Sequence, residues 1–171
     1  MKLESTQLAE HILSDTSLEL SIRILNLLET SQWDNSIFHH FACDCAERAL
    51  HIEQAQGHKP KQELWDAIAT KRSWIAGQAS KEELTQAQLT TQKIVHECAH
   101  QKKGYEASLS VADALAEVRY APRASAWALT AICLHSESPH ETLREEAEWQ
   151  RYQMLSLIQN AELQPLRKDP L

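Results

Sequence analysis

The chain has 171 residues, of which three are glycine and five proline, where an average chain of that length would carry roughly 20 of the two together. Sandwiches and barrels need these residues at every reversal, so the shortage excludes them, while a hydrophobic fraction of 43% is enough for a helical core. The net charge of −7 argues against nucleic acid or an anionic membrane as partner, because both demand excess positive charge, and it suits a basic protein partner.

Ser5 to Ser14 and Thr16 to Ser31 read as two short helices or one bent one, with Leu18, Ile22, Leu25 and Leu28 in helical register. The MKLESTQLAE start has no apolar signal region, and no stretch approaches 18 apolar residues. The cytoplasm is therefore the expected compartment, with Cys43, Cys45, Cys98 and Cys133 reduced. A helix follows from about Asn35 to Gln56, stopped at Gly57, and another from Pro60 to Gly77. Ser80-Lys81-Glu82-Glu83 is a capping box that opens a third helix, which stops before Gly104. Ser108 to Tyr120 makes the next. Pro122 opens a helix that is apolar almost all round, which belongs in the middle of a bundle. Ser138-Pro139 opens the last, running to about Ala161, and residues 165–171 are expected to fray. The architecture expected is all-α: one compact bundle over residues 1–171, of about seven helices, with an apolar central helix at about 122–135.

Between Asn35 and Gln56 the core stripe is Phe38, Phe41, Cys45, Ala49 and Ile52, which puts Cys43 on nearly the opposite side from Cys45. The opposite face carries His40, Asp44, Glu47 and His51, a row of ligand-type side chains that either solvates the helix or serves a neighbour or a metal. In the helix after Pro60, the stripe Leu64, Trp65, Ile68, Arg72, Ile75 and Ala76 contains a guanidinium. A buried Arg72 needs a carboxylate or a ring of carbonyls, and an ion pair with Asp44 or Glu47 is expected, with Arg48 grouped in the same structural set. Trp74 lies off that stripe. In the last helix Trp149 lies off the stripe Leu143, Ala147, Gln150, Met154, Leu157 and Ile158. Both tryptophans either pack against a second layer or face a partner. With Glu141, Glu145 and Glu148 they form the candidate partner-binding set.

One string carries metal chemistry. His96-Glu97-Cys98-Ala99-His100 fits H-E-x-x-H, in which two histidines four apart share a helix face for zinc and the glutamate acts on a bound water. The core stripe of that helix is read as Leu84, Ala87, Thr91, Val95 and Cys98, so His96 and His100 project away from it, beside Lys93 and Lys103. Glu106 and Glu117 are the available third ligands. Glu137 to His140, the partner a di-iron bundle would need, spans a proline at a helix start. A metal-dependent enzyme using His96, Glu97 and His100 is the alternative to a binding protein without cofactor. Glycine-rich phosphate loops, a nucleophile elbow and a dinucleotide fingerprint do not occur in the sequence.

Phe41-Ala42-Cys43-Asp44-Cys45-Ala46-Glu47-Arg48-Ala49-Leu50 is similar to a helix of the ADCAERVL type. Pro60 to Ile68, continuing through Arg72-Ser73-Trp74-Ile75-Ala76-Gly77, resembles the PREAIEAARAWxxG helix that follows it. Together they resemble the immunity-five-like family of bacterial polymorphic-toxin systems, over about residues 36–78, with a weaker echo at Glu148-Trp149-Gln150. The family's alanine- and histidine-rich region corresponds to Ala112 to Ala131, which lacks its histidines and glycines. The resemblance implies a small helical protein that neutralises a cognate toxin by binding it, and it makes residues 1–32 an N-terminal extension. A homodimer joined through apolar surface in the last three helices is the competing assembly.

Overall fold

The computed structural model describes residues 5–30, 32–101, 104–134 and 136–163. Among them are eight α-helices: α1 (Ser5–Leu13), α2 (Leu20–Glu29), α3 (Asn35–Ala55), α4 (Gln62–Ile75), α5 (Lys81–Gln101), α6 (Tyr105–Leu115), α7 (Ala121–Cys133) and α8 (Pro139–Leu163), with a 3-10 turn at Val118–Tyr120. No strand occurs among the described residues. The expected tail at 165–171 lies outside them. The protein is an all-α bundle.

Local signals set the ends. Asp34 caps α3 by accepting from the Ser36 amide at 2.7 Å. Ser80 and Glu83 exchange bonds as a capping box, at 2.7 and 3.1 Å. Gly77 takes φ +70, a conformation that costs glycine little, and closes α4 with the Gln78 amide bonded back to the Ser73 carbonyl. The break between α1 and α2 makes two helices of the N-terminal segment. Arg23 of α2 donates to the Leu13 carbonyl at the end of α1, and Ile24 and Leu27 are buried where α2 meets α7.

Two helices form the centre. α7 packs against α2, α3, α6 and α8, and its buried residues are small: Ala121, Ala124, Ser125, Ala128 and Ala131, with Ile132. Small side chains let neighbouring helix axes approach closely. α3 is as central, touching α4, α6, α7 and α8. This is why Cys43 and Cys45 are both buried, where a single core stripe would have left Cys43 outside.

Three other expectations change. The helix expected over Ser108–Tyr120 ends at Leu115, because Ala116 is extended and the freed carbonyls find side-chain donors. In α5 the buried row is Leu84, Thr91 and Ile94, with Val95 only half-buried. In α4 the buried row is Leu64, Ala67, Ile68 and Lys71. The face is thus turned by about one residue from the expected one, and the fully buried cation is Lys71, 1% exposed, rather than Arg72.

Lys71 reaches the end of α6, where its ammonium donates to the carbonyls of Leu115 at 3.4 Å and Ala116 at 3.0 Å. Gln88 of α5 joins it on the Leu115 carbonyl at 2.8 Å. A cation at a helix C-terminus meets the negative end of the helix dipole, so three helices converge on one cap. The ammonium also lies 4.4 Å from the centre of the Trp74 ring, which meets His39 edge-on at 5.7 Å as well.

Burial pulls Lys71 down to about 8 from 10.5. Burial, with the charge of Lys71 behind it, holds His39 at about 4 instead of 6.5. For both groups the unfolded chain binds more protons in the intervening window, so stability rises with pH there. The folded protein is expected to lose stability as pH falls from 6.5 to 4. His39→Gln should flatten that limb in urea titrations at successive pH values, leaving the rise between pH 8 and 10.5 in place.

Candidate functional site

The turn Asp44-Cys45-Ala46-Glu47-Arg48 divides its side chains between two sides of α3. Cys45 and Ala46 go inward, while Asp44, Glu47 and Arg48 reach the neighbouring helices. Arg72 of α4 donates through one nitrogen to Asp44 Oδ1 at 2.8 Å and Glu47 Oε2 at 2.7 Å. Gln153 of α8 donates to the second oxygen of Asp44 at 2.7 Å. One carboxylate thereby ties α3 to both α4 and α8.

Arg48 turns the other way. Its Nε donates to Glu146 Oε2 at 2.6 Å, and its guanidinium stacks 4.3 Å from the centre of the Trp149 ring. Glu146 is 2% exposed. Burial raises its carboxyl while the Arg48 hydrogen bond pulls it back. Gln150 donates to Glu146 at 3.3 Å and to the Ser125 carbonyl at 3.4 Å, and Ser125 of α7 donates in turn to the Gln150 side chain. A polar chain thus runs from the Trp149 surface through Arg48, Glu146 and Gln150 into the centre of the bundle. Arg48 is therefore paired with α8 and stands apart from the Arg72 cluster with which the sequence grouped it.

Above this seam lies a groove of about 340 Å³ lined by Asp44, Glu47, Arg48, His51, Trp149 and Gln153. His51 is exposed, with its ring 4.7 Å from that of Trp65. Of the row His40, Asp44, Glu47 and His51, the two carboxylates serve Arg72, and no three of the four come together as a group that could hold a metal ion.

The outer face of α8 carries Glu141, Glu145 and Glu148, all exposed, at spacings i, i+4 and i+7. Tyr152, four residues further, completes the row and is 71% exposed. Sequence reading missed Tyr152, although its i+4 spacing from Glu148 was available. Trp149 is half-buried against Arg48, and Trp74 is half-buried between Lys71 and His39. Each tryptophan thus holds an intramolecular cation over its ring and also packs against the core.

The H-E-x-x-H string is on the exposed side of α5. His96, Glu97 and His100 are all exposed, and the two imidazoles lie 4.4 Å apart. Lys61 holds the Glu97 carboxylate, and that hydrogen bond lowers its proton affinity, the reverse of what a general base needs. Glu117 pairs with Arg119 at 3.1 Å, and Glu137 and His140 sit exposed at the start of α8. Among the described residues no three His, Cys, Asp or Glu side chains form a group that could hold a metal ion. No helix among them is long and apolar enough to cross a membrane.

A family model described as "Imm-5 like putative immunity protein" matches residues 28–157, from the end of α2 to the last third of α8. No curated protein and no solved structure matches the chain.

The two arginines should differ in stability cost. Arg72→Met leaves Asp44 and Glu47 partly in water and is expected to cost about 1–2 kcal/mol. Arg48→Met strands Glu146 in the interior and is expected to cost about 2–4 kcal/mol, part of it recovered in Arg48→Met/Glu146→Gln. Urea denaturation of the three variants checks the order.

Proposed function

The chain belongs to the Imm-5-like family of immunity proteins, and from that premise we propose that it is a non-catalytic binding protein, acting in the cytoplasm, that neutralises a cognate bacterial toxin by direct contact. The observation that carries this reading is the extent of the family match, residues 28–157, which takes in the α3 motif, the α4 helix and the part of α8 that faces them.

The bundle supplies what such a protein needs: a rigid scaffold whose polar seam fixes α8 against α3 and α7. On that scaffold the outer face of α8 presents Glu141, Glu145, Glu148 and Tyr152 in one row. Carboxylates steer a basic partner and set its orientation, and an aromatic among them supplies contact area. The overall charge of −7 favours the same partner. Trp149 stands at the edge of this face, held by Arg48, so its orientation is fixed before contact.

The test is co-expression with the product of the adjacent gene. The wild-type chain is expected to co-purify with it and to restore growth. The charge reversal Glu141→Lys/Glu145→Lys/Glu148→Lys should fold normally, because these side chains are exposed, and weaken binding at least ten-fold with a corresponding loss of rescue. Sedimentation of the same samples separates a homodimer through α6–α8 from the complex with the toxin.

A further inference from the structure

α2 carries more apolar surface than the bundle uses. Six of its ten residues are leucine or isoleucine: Leu20, Ile22, Ile24, Leu25, Leu27 and Leu28. A helix that is apolar on several sides belongs under cover on all of them. Leu20, Ile24 and Leu27 are buried, but Ile22 and Leu25 are 42% and 38% exposed. They stand three residues apart, on one outward face of the helix. Beside them a groove of about 380 Å³ opens where α1 turns into α2, with Ile12 and Leu18 as apolar walls. Asn26, one turn on from Ile22, lines the same groove, so stripe and groove are one surface.

The rim of this surface is acidic. Asp15 lines the groove, Glu19 lies three residues before Ile22, and Glu29 lies four after Leu25. All three are exposed. Ser17 donates to Asp15 through its amide at 3.1 Å and through its hydroxyl, which lowers that carboxyl and keeps it charged. The two helices hold no lysine and one arginine. That arginine, Arg23, is half-buried and donates inward to the Leu13 carbonyl. His11, exposed beside the groove, is the remaining basic group of α1 and α2. Carboxylates around exposed leucine and isoleucine match a partner that is apolar on one side and basic on its flanks.

We propose that the outer face of α2, with the groove beside it, docks a basic amphipathic helix of a protein partner. The apolar side of that helix covers Ile22 and Leu25 and fills the groove at Ile12 and Leu18, while its lysines or arginines meet Asp15, Glu19 and Glu29. A second copy of this chain fits poorly. A two-fold contact is self-complementary, so it would set the same carboxylates against one another. Ile22 and Leu25 precede residues 28–157, which the family model matches. The surface is separate from the α8 face and stands whether or not that face binds a toxin.

The probe is a labelled peptide of leucine and lysine with its leucines on one helical face, titrated with the full chain by fluorescence anisotropy. A peptide of the same composition with its leucines spread all round is the control. Saturable binding of the first is expected, at least ten-fold tighter than of the second. Ile22→Ser/Leu25→Ser should fold normally, because both side chains are exposed, and bind at least ten-fold more weakly, while Ile22→Met/Leu25→Met keeps the affinity. Glu19→Gln/Glu29→Gln should weaken binding and reduce its salt dependence. Glu141→Gln/Glu145→Gln/Glu148→Gln should weaken it far less than Ile22→Ser/Leu25→Ser, which separates this surface from the α8 face. Sedimentation of the wild-type chain without peptide tests the other occupant. A dimer that Ile22→Ser/Leu25→Ser dissolves assigns the stripe to a second copy and overturns the proposal. Absence of binding to the wild-type chain, or equal binding by a folded Ile22→Ser/Leu25→Ser variant, overturns it too.

Discussion

The structure depends on the way one turn of α3 distributes its charges. Asp44 and Arg48 stand at a spacing that would let them pair along the helix, yet Asp44, Glu47 and Arg48 all turn to neighbouring helices. Each takes a partner from another helix: Arg72 from α4, and Gln153 and Glu146 from α8. These bonds fix the rotation and height of three helices at once, which apolar contact alone does loosely, since apolar packing is not directional. The polar chain beyond Glu146 extends that registry to α7 through Gln150 and Ser125.

A second anchor of the same kind lies on the other side. Lys71 and Gln88 end α6 by taking its last carbonyls, so α4 and α5 decide where α6 stops. Helix ends that carry their own caps, such as Asp34 for α3 and Ser80 with Glu83 for α5, form from local sequence. The end of α6 forms only when the bundle does. The contrast explains why the first kind of boundary is readable and the second is not: nothing between Ser108 and Tyr120 marks a stop.

The same distinction runs through the candidate site. The pairing of Arg72 with Asp44 and Glu47 follows from helical spacing and the cost of an unpaired guanidinium. The row Glu141, Glu145 and Glu148 is visible as a periodicity, and its exposure agrees with its spacing from the buried Gln150 and Met154. Glu146 was not legible as a buried charge, because a glutamate beside Glu141, Glu145 and Glu148 looks like part of a solvated face. Lys71 was missed for a related reason. Trp65 and Ile75 pull the apparent apolar stripe of α4 toward Arg72, while the actual contacts with α5 and α6 select Ala67 and Lys71.

The sequence by itself determined that the protein is helical, where most helices begin, and which family it belongs to. These rest on composition, caps and short motifs, all interactions within a few residues. Only the tertiary structure decided that α3 shares the centre with α7, that both Cys43 and Cys45 are buried, that Arg48 reaches α8, and that α2 leaves Ile22 and Leu25 exposed. Each of those depends on which helices surround a given face. Periodicity specifies one buried stripe per helix, and a helix with neighbours on several sides buries residues that no single stripe contains.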